Sequence, residues 1–121
     1  MDILLEAHSG LRWLVLAGVA GTAIWGLGRG REPLPSWPRF VGALLGLQIL
    51  LGLVLWAANS GWSHGWFIAW WHPIAMVGAL GLFQVGTARA REAERPRQLG
   101  VFAVLTLVVI VLAIPWQRGL M

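Results

Sequence analysis

Four long apolar runs, separated by short polar stretches, organise this chain. The first spans about Ser9 to Leu27, SGLRWLVLAGVAGTAIWGL, and the second about Phe40 to Ala58. The third covers about Trp66 to Ala88 and the fourth about Leu99 to Trp116. Each approaches the ~20 residues that carry an α-helix across a hydrocarbon core of about 30 Å. Polar and apolar positions do not alternate in any of them, which disfavours a β-barrel, and backbone amides in lipid then require helices. The connectors differ in charge. RGREPLPSWPR, at 29–39, carries Arg29, Arg31 and Arg39 among prolines that stop a helix. RAREAERPR, at 89–97, carries Arg89, Arg91, Arg95 and Arg97, whereas NSGWSHG, at 59–65, has no arginine. The positive-inside rule puts both basic connectors in the cytoplasm, and the N-terminus, the middle connector and the C-terminus outside. The pattern therefore predicts an all-α fold: a transmembrane up-down-up-down four-helix bundle forming one domain over residues 1–121.

Composition strengthens this picture. Of the 121 residues, 58% are hydrophobic and 12% charged, and the mean hydropathy is +0.72. A soluble domain of this size has too little interior to hide so much apolar surface. The absence of cysteine excludes disulfides, thiolate metal sites and cysteine-held iron–sulfur clusters. Lysine is absent too, so every basic side chain is an arginine. A pI near 11.7 would suit a nucleic-acid surface, but the arginines cluster between apolar runs, as topology signals do. No nucleic-acid partner is expected. The start of the chain has Asp2 and Glu6 in place of a basic region, so the first run reads as a retained helix, not a signal peptide.

Tryptophan and small residues refine the frame. Trp56, Trp62, Trp66, Trp70, Trp71 and Trp116 fall near the outer boundary, and Trp25 and Trp37 near the inner one. They form an aromatic belt, or in part the walls of a flat cofactor site. Gly42 with Gly46, Ala17 with Gly21, and Ala75 with Ala79 are small pairs at four-residue spacing, suited to close helix packing in lipid. Such pairs also leave space beside a helix for a planar ligand.

Three histidines exist: His8, His64 and His72. His8 lies 21 residues before Arg29, and His72 lies 17 before Arg89, so they stand roughly 32 and 26 Å above the inner ends of helices one and three. In an up-down bundle those two helices are diagonal neighbours facing a shared centre. One imidazole from each suits a flat iron macrocycle, because neutral imidazole is a good iron ligand. His8 and His72 are thus candidate metal ligands. Arg12, one turn deeper than His8 on the same face, is costly in lipid unless it meets an anion, and a haem propionate matches a guanidinium fork. Plainer readings stand beside this. Arg12 pairs with Glu6 or lipid headgroups, and the histidines are interfacial polar residues. Proline at 73 predicts either a kink in the third span or, the favoured reading, a third helix that starts there, with GWFIAWW at the interface and His72 capping the helix.

With HSGLRWLVL in the first run, LLGLQILLGLVLW in the second, HPIAMVGALGLFQVGTARA in the third and VLAIPW at the end, the chain resembles a family of small four-span bacterial membrane proteins described as cytochrome b-like. These segments cover most of the sequence. The resemblance implies haem b in a bacterial inner membrane, with His8 and His72 as iron ligands. It implies an electron-transfer component more than a stand-alone enzyme, exchanging electrons with quinol or a periplasmic carrier. Gln48 and Gln84, both within spans, either bond a neighbouring helix or contact a quinone carbonyl. No carboxylate lies within a span, which argues against a proton-coupled transporter. No phosphate loop, nucleophile–base arrangement or zinc-spaced cluster is present. A reading from a different class is a non-catalytic accessory subunit of a larger respiratory or photosynthetic membrane complex. Pigment binding through the tryptophans and His64 is a third.

Overall fold

The computed structural model describes residues 2–63, 65 and 67–113. Four α-helices carry the fold: α1 (Asp2–Leu27), α2 (Trp37–Ala58), α3 (His72–Ala93) and α4 (Pro96–Ala113). A short 3-10 turn at Gly61–Ser63 and a π-helical turn at Phe67–Trp71 link α2 to α3. His64, Trp66 and Trp116 lie outside the described residues, as does the expected last turn of the fourth run.

Boundaries shift where local chemistry overrides hydropathy. Helix α1 begins at Asp2, two turns before the apolar run, so His8 sits inside a helix. Helix α3 starts at His72 with Pro73 in its first turn, where proline's missing N–H costs nothing. The preceding FIAWW does not lie apart from it but winds directly into it. Pro96 likewise opens α4, one turn earlier than Leu99. Between α3 and α4 the chain reverses at Glu94, whose φ of 53° is left-handed, and Arg95 N–H closes onto the Ala90 carbonyl at 3.0 Å.

Three helices are long and apolar enough to cross a membrane: Glu6–Leu27, Trp37–Ala58 and Pro96–Ala113. Helix α3 is not among them. His72, Pro73, Gln84, Thr87, Arg89 and Arg91 dilute its hydropathy, although at 22 residues it has the length.

Consecutive helices run antiparallel, and α1 closes the ring against α4. Gly26 near the end of α1 meets Gly100 near the start of α4, and Gly42 early in α2 meets Gln84 late in α3. Helix α4 packs closely on both α1 and α3, while α2 is held more loosely by the same two helices. The core is a column of Val15, Val19, Leu45, Ala79, Phe83, Leu99, Ala103 and Ile110.

The distribution of polarity is inverted relative to a soluble bundle. Thr22 and Thr106 are 0% exposed, while Ile24 is 76% and Phe40 69% exposed. Buried Thr22, Thr87 and Thr106 each donate to the carbonyl four residues back, at 2.7, 2.9 and 2.8 Å, so none leaves a polar demand on its neighbours. An apolar outside around threonines that are satisfied within their own helices is what lipid as solvent selects.

Small residues make the closest approaches, though not all of the expected ones. Gly42, Ala75 and Ala79 are buried, but Ala17 and Gly21 are exposed and nothing lies within 4 Å of a Cβ added at Gly21 or Gly46. The close backbone-to-backbone crossing is instead Gly26 on Gly100, and Gly86 of α3 lies as tightly against the Phe102 side chain of α4.

At the end of the bundle carrying both basic connectors, Arg91 donates through Nη1 to the Leu34 carbonyl (3.3 Å) and through Nη2 to that of Pro35 (3.1 Å). Glu32 N–H bonds the Glu94 carbonyl at 3.0 Å. Trp25 and Trp37 meet edge-on there with centroids 5.1 Å apart, and Arg29 lies 5.4 Å over the Trp25 ring. Trp56 and Trp62 pair at the opposite end, 5.3 Å apart.

Candidate functional site

The loose seating of α2 leaves a cavity at the end of the bundle away from the arginine connectors. His8 and Arg12 reach it from α1, Gln48 and Gly52 from α2, and His72 and Met76 from α3. Apolar Ile49, Leu53, Trp56, Pro73 and Ile110 complete its wall. The three residues singled out from sequence therefore converge on one space. Each pair one helical turn apart, His8 with Arg12 and His72 with Met76, shares a helix face.

The two imidazoles are held differently. His72 Nδ1 lies 2.7 Å from the Ala113 carbonyl oxygen, which accepts only from an N–H. In the neutral ring Nδ1 therefore keeps the proton, and Nε2 presents a lone pair. A carbonyl that fixes ring and tautomer in this way is the usual support behind a metal-ligating histidine. Next to it Trp71 Nε1 donates to the Leu112 carbonyl at 3.1 Å, so the start of α3 is tied twice to α4. The His8 ring faces Gly52, where an added Cβ would stand 3.0 Å from His8 Cε1. Gly52 is what makes room for that ring. His8 Nδ1 is buried and has no hydrogen-bond partner among the described residues.

Gln48 bonds a neighbouring helix, the first of the two roles read from its position. Its Nε2 donates to the His8 carbonyl at 2.8 Å, joining α2 to α1 at the depth of the imidazole. It is 4% exposed, and its Oε1 is a second buried acceptor with no partner among the described residues. Such an atom costs about 1–3 kcal/mol unless something donates to it. Arg12 is 9% exposed and its guanidinium carbon lies 5.2 Å from the Trp13 ring centroid, within cation–π range. Glu6 is exposed, six residues away and on another face. Gln84, the other polar residue within a span, is exposed against Gly42 and takes no part in the cavity.

The donor set suits an iron macrocycle, and size sets a condition. The enclosed space is about 50 Å³, room for a few water molecules. An apolar groove of Trp70, Ile74 and Val77 adjoins it, sharing Leu53, Trp56 and Pro73. A planar macrocycle would enter only if the α2 wall moved outward and joined the two spaces. Among the described residues no group of three or more His, Cys, Asp or Glu side chains is placed to hold a bare metal ion.

Sequence reasoning passed over Gly52 and Met76. The first is one of 16 glycines and the second an ordinary core side chain, and only the approach of α1 to α2 and α3 gives them a role. One substitution tests the fit directly. Gly52→Ala should leave the helices assembled and shift the His8 ring slightly, and Gly52→Leu should displace it, each read from the His8 imidazole resonances by NMR in detergent. Comparisons of the chain with family models, with curated proteins and with solved structures find no match to any of the three.

Proposed function

We propose that the protein is a membrane electron-transfer component that holds one haem b between α1 and α3, with His8 and His72 as the iron ligands and Arg12 as the partner of a propionate. The observation that carries this reading is the convergence of two imidazoles from diagonal helices on one cavity, one of them with its Nδ1 already committed to Ala113. Helix α3 is taken as the fourth span because α2 and α4, both apolar enough to cross, flank it along its length. With the basic connectors on the cytoplasmic side of a bacterial inner membrane, the cavity and both termini lie toward the outer face.

Held by His8 and His72, a haem would have no position left for oxygen, and the chemistry it would supply is one-electron transfer. The chain's own residues do the rest. Ala113 fixes the plane and tautomer of His72, and Gln48 pins α2 to the backbone of His8. The surrounding Ile49, Leu53, Met76 and Ile110 exclude water, which strengthens every charge interaction inside. The outward position fits exchange with quinol or with a periplasmic carrier.

An optical spectrum of the purified protein is the direct test. A reduced-minus-oxidised difference of the b type, at about one haem per chain, is expected; a colourless protein from haem-replete cells would overturn the reading. Arg12 gives a graded second measurement. Arg12→Leu should keep the iron ligated but lower the reduction potential, because removing a nearby cation favours the oxidised centre with its extra positive charge. A unit charge about 10 Å from a redox centre shifts its energy by roughly 1–2 kcal/mol at a dielectric near 20. For a one-electron couple that is several tens of millivolts. A potential that does not move assigns Arg12 to lipid instead.

A further inference from the structure

The arginines of the 89–97 connector are not equivalent. Arg91 is consumed by the fold, donating to the Leu34 and Pro35 carbonyls. Arg89, Arg95 and Arg97 instead converge on a groove where α3 ends and α4 begins, with Gln98 beside them and Val101 and Phe102 as its floor. The left-handed turn at Glu94 brings them together by folding the start of α4 back along α3. All three side chains are exposed and none is in an ion pair among the described residues, where Arg29–Glu32 is the pair formed. The nearby acids, Glu92 and Glu94, are exposed as well. The positive end of α4 points into the same region. Beyond the groove, Val104, Leu105, Val108 and Leu112 continue an exposed apolar track along α4.

We infer that this groove binds one anionic phospholipid, its headgroup phosphate on Arg89, Arg95 and Arg97 and an acyl chain along Val101, Phe102 and the α4 track. The charge is complementary and the depth is right, since basic side chains at the end of an apolar helix meet the headgroup layer. An orientation signal requires only that arginines lie on one side of the membrane. Three of them around an apolar floor make a site.

The test uses the full chain, delipidated in neutral detergent, with lipid adducts counted by native mass spectrometry. Dioleoyl phosphatidylglycerol should bind at least ~10-fold more tightly than dioleoyl phosphatidylcholine, given roughly 1 kcal/mol per arginine near an anionic headgroup. The variant R89Q/R95Q/R97Q should erase that preference, and R97Q alone should reduce it part-way while leaving the fold intact. The charge-matched control R29Q/R31Q/R39Q should retain it. Equal loss in both triple variants would overturn the site in favour of a general charge effect. Equal binding of the two lipids, or full displacement by millimolar inorganic phosphate, would overturn it as well, the latter showing an anion site indifferent to lipid.

Discussion

Haem binding is expected to vanish when either His8 or His72 is replaced by alanine, yet the two variants should differ sharply in stability. Each would lose one of the two imidazoles proposed to hold the haem, so the b-type spectrum expected of the wild type should be absent from both. The folded chains are not equivalent. His72 covers the Ala113 carbonyl from 2.7 Å, and removing it leaves that acceptor open at a cost of about 1–3 kcal/mol. His8 Nδ1 has no partner among the described residues, so His8→Ala deletes a buried polar atom that was already unsatisfied. The cofactor-free His8→Ala protein should therefore melt close to the cofactor-free wild type, and His72→Ala several degrees lower. Thermal unfolding in detergent, followed alongside absorbance, checks both halves. A wild-type spectrum in both variants would remove these residues from the site, and equal melting temperatures would remove the carbonyl contact from the account.

A large loss of stability is expected from substitution at Gly26. A Cβ built there would stand 2.6 Å from the Pro96 carbonyl oxygen, 2.7 Å from Gly100 N and 2.8 Å from Gly100 Cα. All three are backbone atoms and cannot swing aside. Reciprocally, a Cβ at Gly100 would meet Leu27 N at 2.6 Å. In lipid no hydrophobic force holds helices together, so the contacts made at such a crossing carry the association. Gly26→Ala should separate α1 from α4 at that end and cost about 1–3 kcal/mol, as overpacking does, and Gly26→Leu more. Gly21→Ala is the matched control, because nothing lies within 4 Å of a Cβ there and alanine favours a helix by up to ~1 kcal/mol. Unfolding in mixed detergent should give the order Gly21→Ala, wild type, Gly26→Ala, Gly26→Leu. A Gly26→Ala protein as stable as the wild type would mean that the crossing is not tight.

What the sequence told and what it hid divide along a physical line. Helix number, approximate ends and the gathering of His8, Arg12 and His72 followed from length, rise per residue and connector charge, which depend on no partner. Which face of a helix turns inward did not follow, because spans that are apolar all round carry no stripe to mark it. Ala17 and Gly21 have the spacing of a packing pair and sit on the outside, while Gly26 and Gly100, unremarkable in sequence, make the crossing. Helix α3 is the least apolar of the four because its bounds take in His72 and Gln84 and, in its last turns, Arg89 and Arg91. Of its polar residues, His72 lines the cavity and Thr87 is satisfied within the helix.

The unequal grip of α4 and α2 gives the bundle a lever. Helix α2 follows a connector fastened by Arg91 to the Leu34 and Pro35 carbonyls, so its movement pivots at that end. Its 22 residues make an arm about 33 Å long. A tilt of ~5° about the fastened end carries the far end outward by roughly 3 Å over that length. The residues at stake there, Gln48, Gly52 and Trp56, are those that close the space beside His8. That tilt is resisted by the bond from Gln48 to the His8 carbonyl and by the buried Val41, Leu45 and Ile49 of α2. A planar cofactor of the proposed kind would therefore enter sideways from the bilayer only by loosening α2 from the frame of α1, α3 and α4.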